Sequence, residues 1–269
     1  MTTDPPSAAF NFLTRVALSY ATLLDTPLAH PETGLGGKLF YAAELDEEGR
    51  AFLVAANIAG AATLAASADR DAQKQALRDG IADFVVTNLD EALRILKNQL
   101  RKHETVAVCI AQSPSEIERE MNERGVAPDL RRRDLSIPLA HSALAFHEGE
   151  ETELDLGKIP ALVTWRVESA LPKDLALLDE IAFASLDSCL DPGPNANAWK
   201  SRRWLRLSPR YLGRLAQNLR LLDSNRDFAA RFIQEVDQRV KSGEIAATVE
   251  IHSYSSGTDE EHSFAPTKP

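Results

Sequence analysis

Between Lys38 and Leu130 the chain alternates regularly between short apolar runs and amphipathic segments of about ten residues or more. Apolar runs of this length predict buried strands, and apolar residues at helical spacing predict helices packed on a sheet. The predicted strands cover 38–45, 61–67, 83–87, 105–111 and a fifth from 128, with helices over 50–59, 69–80, 89–103 and 113–125. Because the connections are short, the pattern predicts an α/β fold with a parallel sheet and helices on both faces.

The whole chain is predicted to have four parts, of which the sheet domain is one. Residues 1–37 form an N-terminal helix, over 7–24, and a loop, and the sheet domain occupies 38–147. A smaller, helix-rich region follows over 148–254, and 255–269 reads as a disordered tail. Within 148–254 the pattern predicts strands over 161–168 and 244–253 and helices over 172–189, 208–222 and 227–241. The predicted helix over 208–222 begins at Ser208-Pro209, a serine cap followed by a first-turn proline.

The turn after the first predicted strand is acidic, with the sequence Glu44–Gly49. In doubly wound folds this turn is the usual phosphate seat, which needs glycines and free backbone N–H groups. Here Asp46, Glu47 and Glu48 would face the phosphates. Two like charges about 8 Å apart repel by roughly 2 kcal/mol at an effective dielectric constant of about 20. Several kcal/mol of repulsion weakens binding about a thousandfold. An acidic side chain at this position can instead accept hydrogen bonds from the free N–H groups of the helix that follows, and its charge interacts favourably with the helix dipole.

Four segments of the sheet region carry a resemblance to a known family. They follow one another in the family's order and spacing, at Val54–Ala61, Leu64–Asp69, Leu89–Leu93 and Glu123–Asp129. Over Lys38–Asp129 the chain resembles the Rossmann-like, NAD-binding domain of urocanase (urocanate hydratase). The resemblance implies a Rossmann-like sheet. In urocanase that domain holds NAD tightly and uses the nicotinamide ring as an electrophile.

The positions that bind NAD in this family are changed here. Of the glycine-rich loop only Gly49 is kept, and Ser67 stands where the family has an acid for the ribose hydroxyls. The family's basic residue falls at Ala72, its Asn-Ala at Ser113-Pro114, and its Gln-Thr-Ser-Ala-His segment at 134–138. We therefore expect no cofactor, and NAD in particular is not expected. No catalytic residue is assigned. The crevice candidates, which would face any ligand at the carboxyl ends of the strands, are Glu44, Asp46, Gly49, Ser67, Ser113 and Asp134.

Other reactive side chains form no recognisable site. His141 and His147 lie near Glu148 and Glu150, but without the spacing of a metal site, so no metal is predicted. Cys109 lies in an apolar strand and is interpreted as a core thiol, although a nearby cation could make it nucleophilic. The uncharged stretch 51–68 is rich in alanine and too weakly apolar to span a membrane. With two cysteines far apart and no signal pattern, we expect a cytoplasmic protein.

A basic, aromatic run over 199–220 interrupts a chain whose net charge is −10. Its arginines could pair with the protein's own acids while Trp204 and the leucines pack inward. They could also bind a protein partner or a second copy, or bind nucleic acid by phosphate pairing and base stacking. The overall charge opposes nucleic-acid binding. The arginines proposed for a partner are Arg202, Arg203, Arg206, Arg210 and Arg214.

Three functions are compatible with the sequence. The first is a urocanase-like protein without hydratase activity that acts as a binding, regulatory or assembly protein. The second is a divergent hydro-lyase of urocanase type, or a nucleotide-using enzyme, working in the same crevice. The third is nucleic-acid binding through the basic segment. The crevice candidates form no convincing acid–base pair, which favours the first function.

Overall fold

The computed structural model describes residues 8–135, 161–168, 172–189, 198–213, 218–224, 226–255 and 258–266. They divide into two compact units. The first contains 8–135 together with 207–213, and the second contains the other described residues. No helix in these ranges is long and apolar enough to cross a membrane.

The first unit alternates strands and helices as the sequence predicts. The elements are α1 (Ala8–Leu24), β1 (Leu39–Ala43), α2 (Glu47–Ala59), β2 (Ala62–Ala66), α3 (Arg70–Arg78), β3 (Phe84–Val86), α4 (Leu89–Lys102), β4 (Ala107–Ile110), α5 (Pro114–Glu123), β5 (Leu130–Arg131) and a 3₁₀ turn, η1 (Arg132–Asp134).

The five strands form one parallel sheet in the order β3-β4-β2-β1-β5. The chain passes from β1 to β2 on one side, and later adds β5 on the other side of β1. The sheet therefore has a topological switch point at the carboxyl ends of β1 and β5, where open α/β sheets place their ligand crevice. The predicted α/β fold with a parallel sheet is confirmed.

Alternating residues of β1 face the two covering layers. Leu39 and Tyr41 join a buried cluster with residues of α4 and α5, including Leu96 and Ile117. Phe40 points to the other face, where its ring stacks on Phe52 of α2 with a centroid separation of 5.8 Å. Helix α1 packs on α2. Burial on both faces explains why the central strands β1, β2 and β4 are apolar along most of their length rather than alternating.

The second unit is an antiparallel sheet with helices. Its elements are β6 (Ala161–Glu168), α6 (Pro172–Cys189), α7 (Ala198–Leu212, whose last residues belong to the first unit), β7 (Leu219–Ser224), α8 (Arg226–Lys241), β8 (Thr248–Ser255) and β9 (Thr258–Phe264). The strand order is β7-β6-β8-β9. Trp165 of β6 is fully buried against Phe232 of α8, with ring centroids 4.8 Å apart. The C-terminal region thus contains an antiparallel sheet besides the predicted helices.

Two predictions for this region are wrong. The helix predicted over 208–222 is instead α7, which begins at Ala198 and contains Pro209 in its last turn. Trp204, Leu205 and Leu212 form a buried apolar stripe, and burial of this stripe stabilises helical residues that precede the proline. The second half of the predicted helix is β7, because Leu221 and Leu222 are buried within the sheet.

The predicted disordered tail also contains a strand. Strand β9 pairs with β8 from Val249↔Phe264 to Ser255↔Thr258. Its sequence is polar because it lies at the edge of the sheet, so the strand is held by backbone pairing with β8 rather than by an apolar side-chain pattern.

Candidate functional site

The first helix after β1 begins on the chain's own carboxylate. Asp46 is the N-cap of α2, and its Oδ1 accepts a hydrogen bond from the Gly49 N–H at 2.7 Å. Glu47 and Glu48 follow in the first turn, both exposed. An acidic residue was predicted to cap this helix, and Asp46 does so. The carboxylate occupies the region of free N–H groups and positive dipole to which a phosphate would bind.

Gly49 is a glycine because the helix start lies against the end of the strand. A Cβ at this position would lie 1.9 Å from the carbonyl oxygen of Glu44 and 2.9 Å from Arg132 Nη1. Both values are below any contact that a side chain can make without a shift of the backbone or of its neighbour. The requirement for glycine here arises within the chain itself, from close packing of strand and helix.

The residue before Glu44 is in an unusual backbone conformation. Ala43 has φ +61°, and the register between β1 and β2 shifts between Tyr41 and Ala43. A left-handed conformation is uncommon for a residue with a Cβ. The irregularity turns the chain out of the sheet at the switch point and leads directly into the acidic turn.

Arg132 closes the switch point from the other side. It lies in η1, directly after β5, and its Nη1 contacts Asp46 Oδ1 at 2.5 Å. The Arg132 side chain is 18% exposed and the Asp46 side chain 49%. Since β1 and β5 are neighbours, this ion pair joins the two loops that border the crevice. Arg132 is not among the crevice residues predicted from the sequence, although it belongs to a run of three arginines that follows a predicted strand.

The other helices that begin at this edge are also capped by their own residues. Asp69 accepts from the Asp71 N–H at 2.8 Å, and Asn88 from the Glu91 N–H at 2.9 Å. Helix α5 has a full capping box between Ser113 and its third helical residue. Helices α2 to α5 each carry at least one acid in the first turn. Four helix N-termini at the carboxyl edge are thus satisfied and surrounded by negative charge.

Ser67 is not presented to a ligand. It is 1% exposed, its N–H donates to the Ile110 carbonyl oxygen, and its own carbonyl oxygen accepts from Gln73 Nε2 at 2.7 Å. Its Oγ accepts from the Asp69 N–H at 3.3 Å. These bonds tie the end of β2 to the start of α3 and leave Ser67 inside the structure.

A comparison with protein-family models identifies this part of the chain. The model of the urocanase Rossmann-like domain matches residues 16–144. This region is a urocanase Rossmann-like domain. The match confirms the resemblance found over Lys38–Asp129 and extends it to the N-terminal helix, since α1 packs on α2 and belongs to the same unit.

The structure brings only some of the predicted crevice residues of the urocanase Rossmann-like domain together. Glu44, Asp46 and Gly49 meet at the end of β1, and Arg132 links Asp46 to η1. Asp134 is exposed at the end of η1, where its carboxylate lies 3.9 Å from Arg133 Nε. Ser113 remains at the start of α5, where its Oγ donates to Glu116 Oε2 at 2.7 Å.

The phenol of Tyr41 on β1 and the thiol of Cys109 on β4 are both held neutral. Burial, followed by the negative charge of Glu118, raises the pKa of Tyr41 well above its ordinary value. Burial, followed by the charge of Glu44, raises the pKa of the Cys109 thiol to about 12. Cys109 is completely buried, in agreement with the interpretation as a core thiol. Neither group is a nucleophile at neutral pH.

No group of three or more potential metal ligands occurs among the described residues. The histidines and glutamates considered as weak metal ligands, His141, His147, Glu148 and Glu150, lie outside the described residues.

Some residues of the basic segment pair or pack within the protein, and others are exposed to solvent. Trp204 is buried and its indole N–H donates to the Leu221 carbonyl oxygen at 2.6 Å, as expected for inward packing. Arg202 pairs with Asp187 at 2.8 Å. Arg206 and Arg210 are exposed one turn apart on α7, and the guanidinium of Arg210 lies 5.4 Å from the centre of the Tyr211 ring. Arg203 is half-buried and has a partner, and Arg214 lies outside the described residues.

Proposed function

We propose that this chain is a urocanase-related protein without hydratase activity that acts by binding, in a regulatory or assembly role. One observation carries the proposal. The Asp46 carboxylate caps α2 and is paired by Arg132, so the chain's own anion stands where the diphosphate of a dinucleotide would bind.

The energy of this arrangement opposes NAD. A diphosphate oxygen about 5 Å from the Asp46 carboxylate would be repelled by roughly 3 kcal/mol at an effective dielectric constant of 20. Arg132 offsets part of that repulsion, so the main obstacle to a diphosphate is that the Asp46–Arg132 pair already occupies the helix N-terminus. Displacing Asp46 instead would remove the helix cap and the Arg132 pair. The residues present do not fit the cofactor, and we assign no reaction step to it.

The acid–base groups near the crevice support the absence of hydratase chemistry. A general acid or base works best with a pKa near the operating pH. The pKa values of Tyr41 and Cys109 are raised far above neutrality. The carboxylate of Glu116 is engaged by Ser113, which lowers its pKa. These shifts leave the groups in the protonation states that are least useful for proton transfer at pH 7.

The exposed arginines of α7 are the proposed contact for a partner. Arg206 and Arg210 are one turn apart, and neither has an ion pair within the described part of the chain. Because the chain carries a net charge of −10, a second copy offers complementary acidic surface. We propose self-association through these two arginines.

The unpaired thiols Cys109 and Cys189 support the cytoplasmic location expected from the sequence.

Native mass spectrometry of gently purified protein tests the first part of the proposal. We expect masses of the chain or its oligomers without an NAD adduct, and no consumption of urocanate in a spectrophotometric assay with added NAD. Co-purified NAD, or turnover of urocanate, would instead support a divergent hydro-lyase. A rise in melting temperature with another nucleotide or with an imidazole acid would support a different enzyme in the same crevice.

Sedimentation velocity tests the assembly role. At low ionic strength we expect an oligomer whose fraction falls with added salt and in the double variant Arg206→Glu, Arg210→Glu. Lys241→Glu, a charge reversal on α8, is the control. A monomer at all concentrations would refute self-association. Salt-sensitive binding of a single-stranded oligonucleotide that the double variant loses would favour the nucleic-acid function instead.

A further inference from the structure

Helices α6 and α8 of the second unit enclose a cleft of about 490 Å³. The two helices are in contact, and Arg231 and Asp227 at the start of α8 lie near Cys189 at the end of α6. Leu177, Ile181 and Ala184 supply apolar surface along the α6 side. The volume falls in the range of small-molecule sites, roughly 300–1,000 Å³.

One end of the cleft carries a cation that forms no ion pair with the described residues. Arg231 is exposed, and within the described residues the structure records no ion pair or hydrogen bond for its guanidinium. Ser185 lines the same cleft, is 4% exposed, and its Oγ has no hydrogen-bond partner. A buried hydroxyl without a partner is unfavourable, and rotation about χ1 can turn it toward a bound ligand. This end therefore offers a charged donor and an unused hydroxyl.

The other end is electrostatically satisfied. Arg239 pairs with Glu244 at 2.5 Å and lies 4.0 Å from Glu235. Glu180 adds a further carboxylate to the rim. A ligand with several negative charges would be repelled at this end, whereas a ligand with one negative group at Arg231 would not. The cleft therefore selects for charge at one end of the ligand only.

We propose that this cleft binds a small amphipathic monoanion. Its carboxylate or sulfonate pairs with Arg231 and accepts from the Ser185 hydroxyl, and its apolar body lies over Ile181 and Ala184. The inference concerns the second unit and does not depend on the function proposed for the urocanase Rossmann-like domain.

Two fluorescent probes test the proposal with the full chain. The first, 1-anilinonaphthalene-8-sulfonate, has an apolar body with one sulfonate. The second, N-phenyl-1-naphthylamine, has the same body without the charge. We expect saturable binding of the sulfonate at one site per chain. Arg231→Gln should weaken its binding about tenfold and leave binding of the uncharged probe unchanged, since only the charge-assisted contact is lost.

Matched variants locate the site. Lys241→Gln removes a charge from the same helix outside the cleft and should change neither probe. Ala184→Trp fills the cleft at an exposed position and should abolish saturable binding of both probes. Unchanged far-UV circular dichroism confirms that each variant is folded. Equal affinity for the two probes, sulfonate binding insensitive to Arg231→Gln and Ala184→Trp, or adventitious binding without saturation would each overturn the proposal.

Discussion

Two substitutions at Asp46 separate its roles as helix cap and ion-pair partner. Asparagine caps helices as well as aspartate but carries no charge, so Asp46→Asn removes mainly the pair with Arg132. Alanine removes both interactions. The two variants therefore report separately on the ion pair and on the bond to the Gly49 N–H.

The expected losses follow from the geometry. The Asp46 side chain is 49% exposed, so the ion pair is screened by solvent and contributes about 0.5 kcal/mol to the free energy of unfolding. Loss of an N-cap costs about 1 kcal/mol. We expect Asp46→Asn to lower the stability by about 0.5 kcal/mol and Asp46→Ala by about 1.5 kcal/mol. High salt should remove most of the loss of stability expected for Asp46→Asn, because salt screens the ion pair in the unsubstituted chain.

Hydrogen exchange of peptides covering α2 (Glu47–Ala59) measures the effect where it arises. Tryptophan fluorescence is unsuitable because Trp165, Trp199 and Trp204 all belong to the second unit. Urea unfolding followed by far-UV circular dichroism gives a second value. Inorganic phosphate provides the critical addition. If Asp46 stands in for an anion, phosphate should protect the α2 amides of Asp46→Ala and leave the unsubstituted chain unchanged.

Three results would refute this reasoning. Equal losses in the two variants would show that the cap contributes nothing. No loss in Asp46→Ala would show that α2 does not need a side-chain acceptor. The third result is a failure of phosphate to protect the α2 amides of Asp46→Ala at an ionic strength matched with sodium chloride. That result would show that the N-terminus of α2 and Arg132 do not bind an anion when the carboxylate is removed.

Three further predictions address packing, the thiols and pH. Gly49→Ala should lower the stability by about 3 kcal/mol or more, since its Cβ meets a backbone oxygen, whereas Gly80→Ala, with open space around it, should cost only about 1 kcal/mol for its left-handed conformation; urea unfolding measures both. An alkylating reagent at pH 8 should label Cys189 but not the buried Cys109, and both in urea, as counted by mass spectrometry. The pKa of Glu116 is lowered in the folded state, so its contribution is present above the ordinary value of 4.5 and lost as the pH falls through the lower one; Glu116→Gln should therefore flatten the acid side of the stability–pH profile.

The sequence predicted the parallel sheet because its strands and helices are local patterns. Helix α6 was predicted at its observed bounds, Pro172–Cys189, and β6 likewise at Ala161–Glu168. The failures are non-local. Strand β9 is polar and exists through its pairing with β8, which no periodicity reveals. Helix α7 contains Pro209, and local turn chemistry suggested a start where the structure has the last turn.

The candidate site divides in the same way. Asp46 as a cap is a local feature, three residues from the N–H that it accepts, and it was predictable. Its pairing with Arg132 spans 86 residues and depends on β5 being placed beside β1 rather than beside β4. The sequence places a carboxylate at the switch point, but only the strand order shows that a guanidinium pairs with it.

The ion pair between Asp46 and Arg132 bears on what stabilises the domain. A domain that binds a cofactor tightly gains stability from it, about 4 kcal/mol at a thousandfold excess over Kd, and loses that gain when the cofactor is absent. Asp46 and Arg132 supply part of the same interaction from within the chain, at a fixed geometry and without a ligand. If the proposed function holds, a dinucleotide would have to displace this pair before it could stabilise the fold. Under the proposed function, the same carboxylate that opposes a dinucleotide also replaces part of its stabilising effect. The parallel sheet would then be kept as a scaffold, and the proposed binding would be carried out by α7 and by the cleft between α6 and α8.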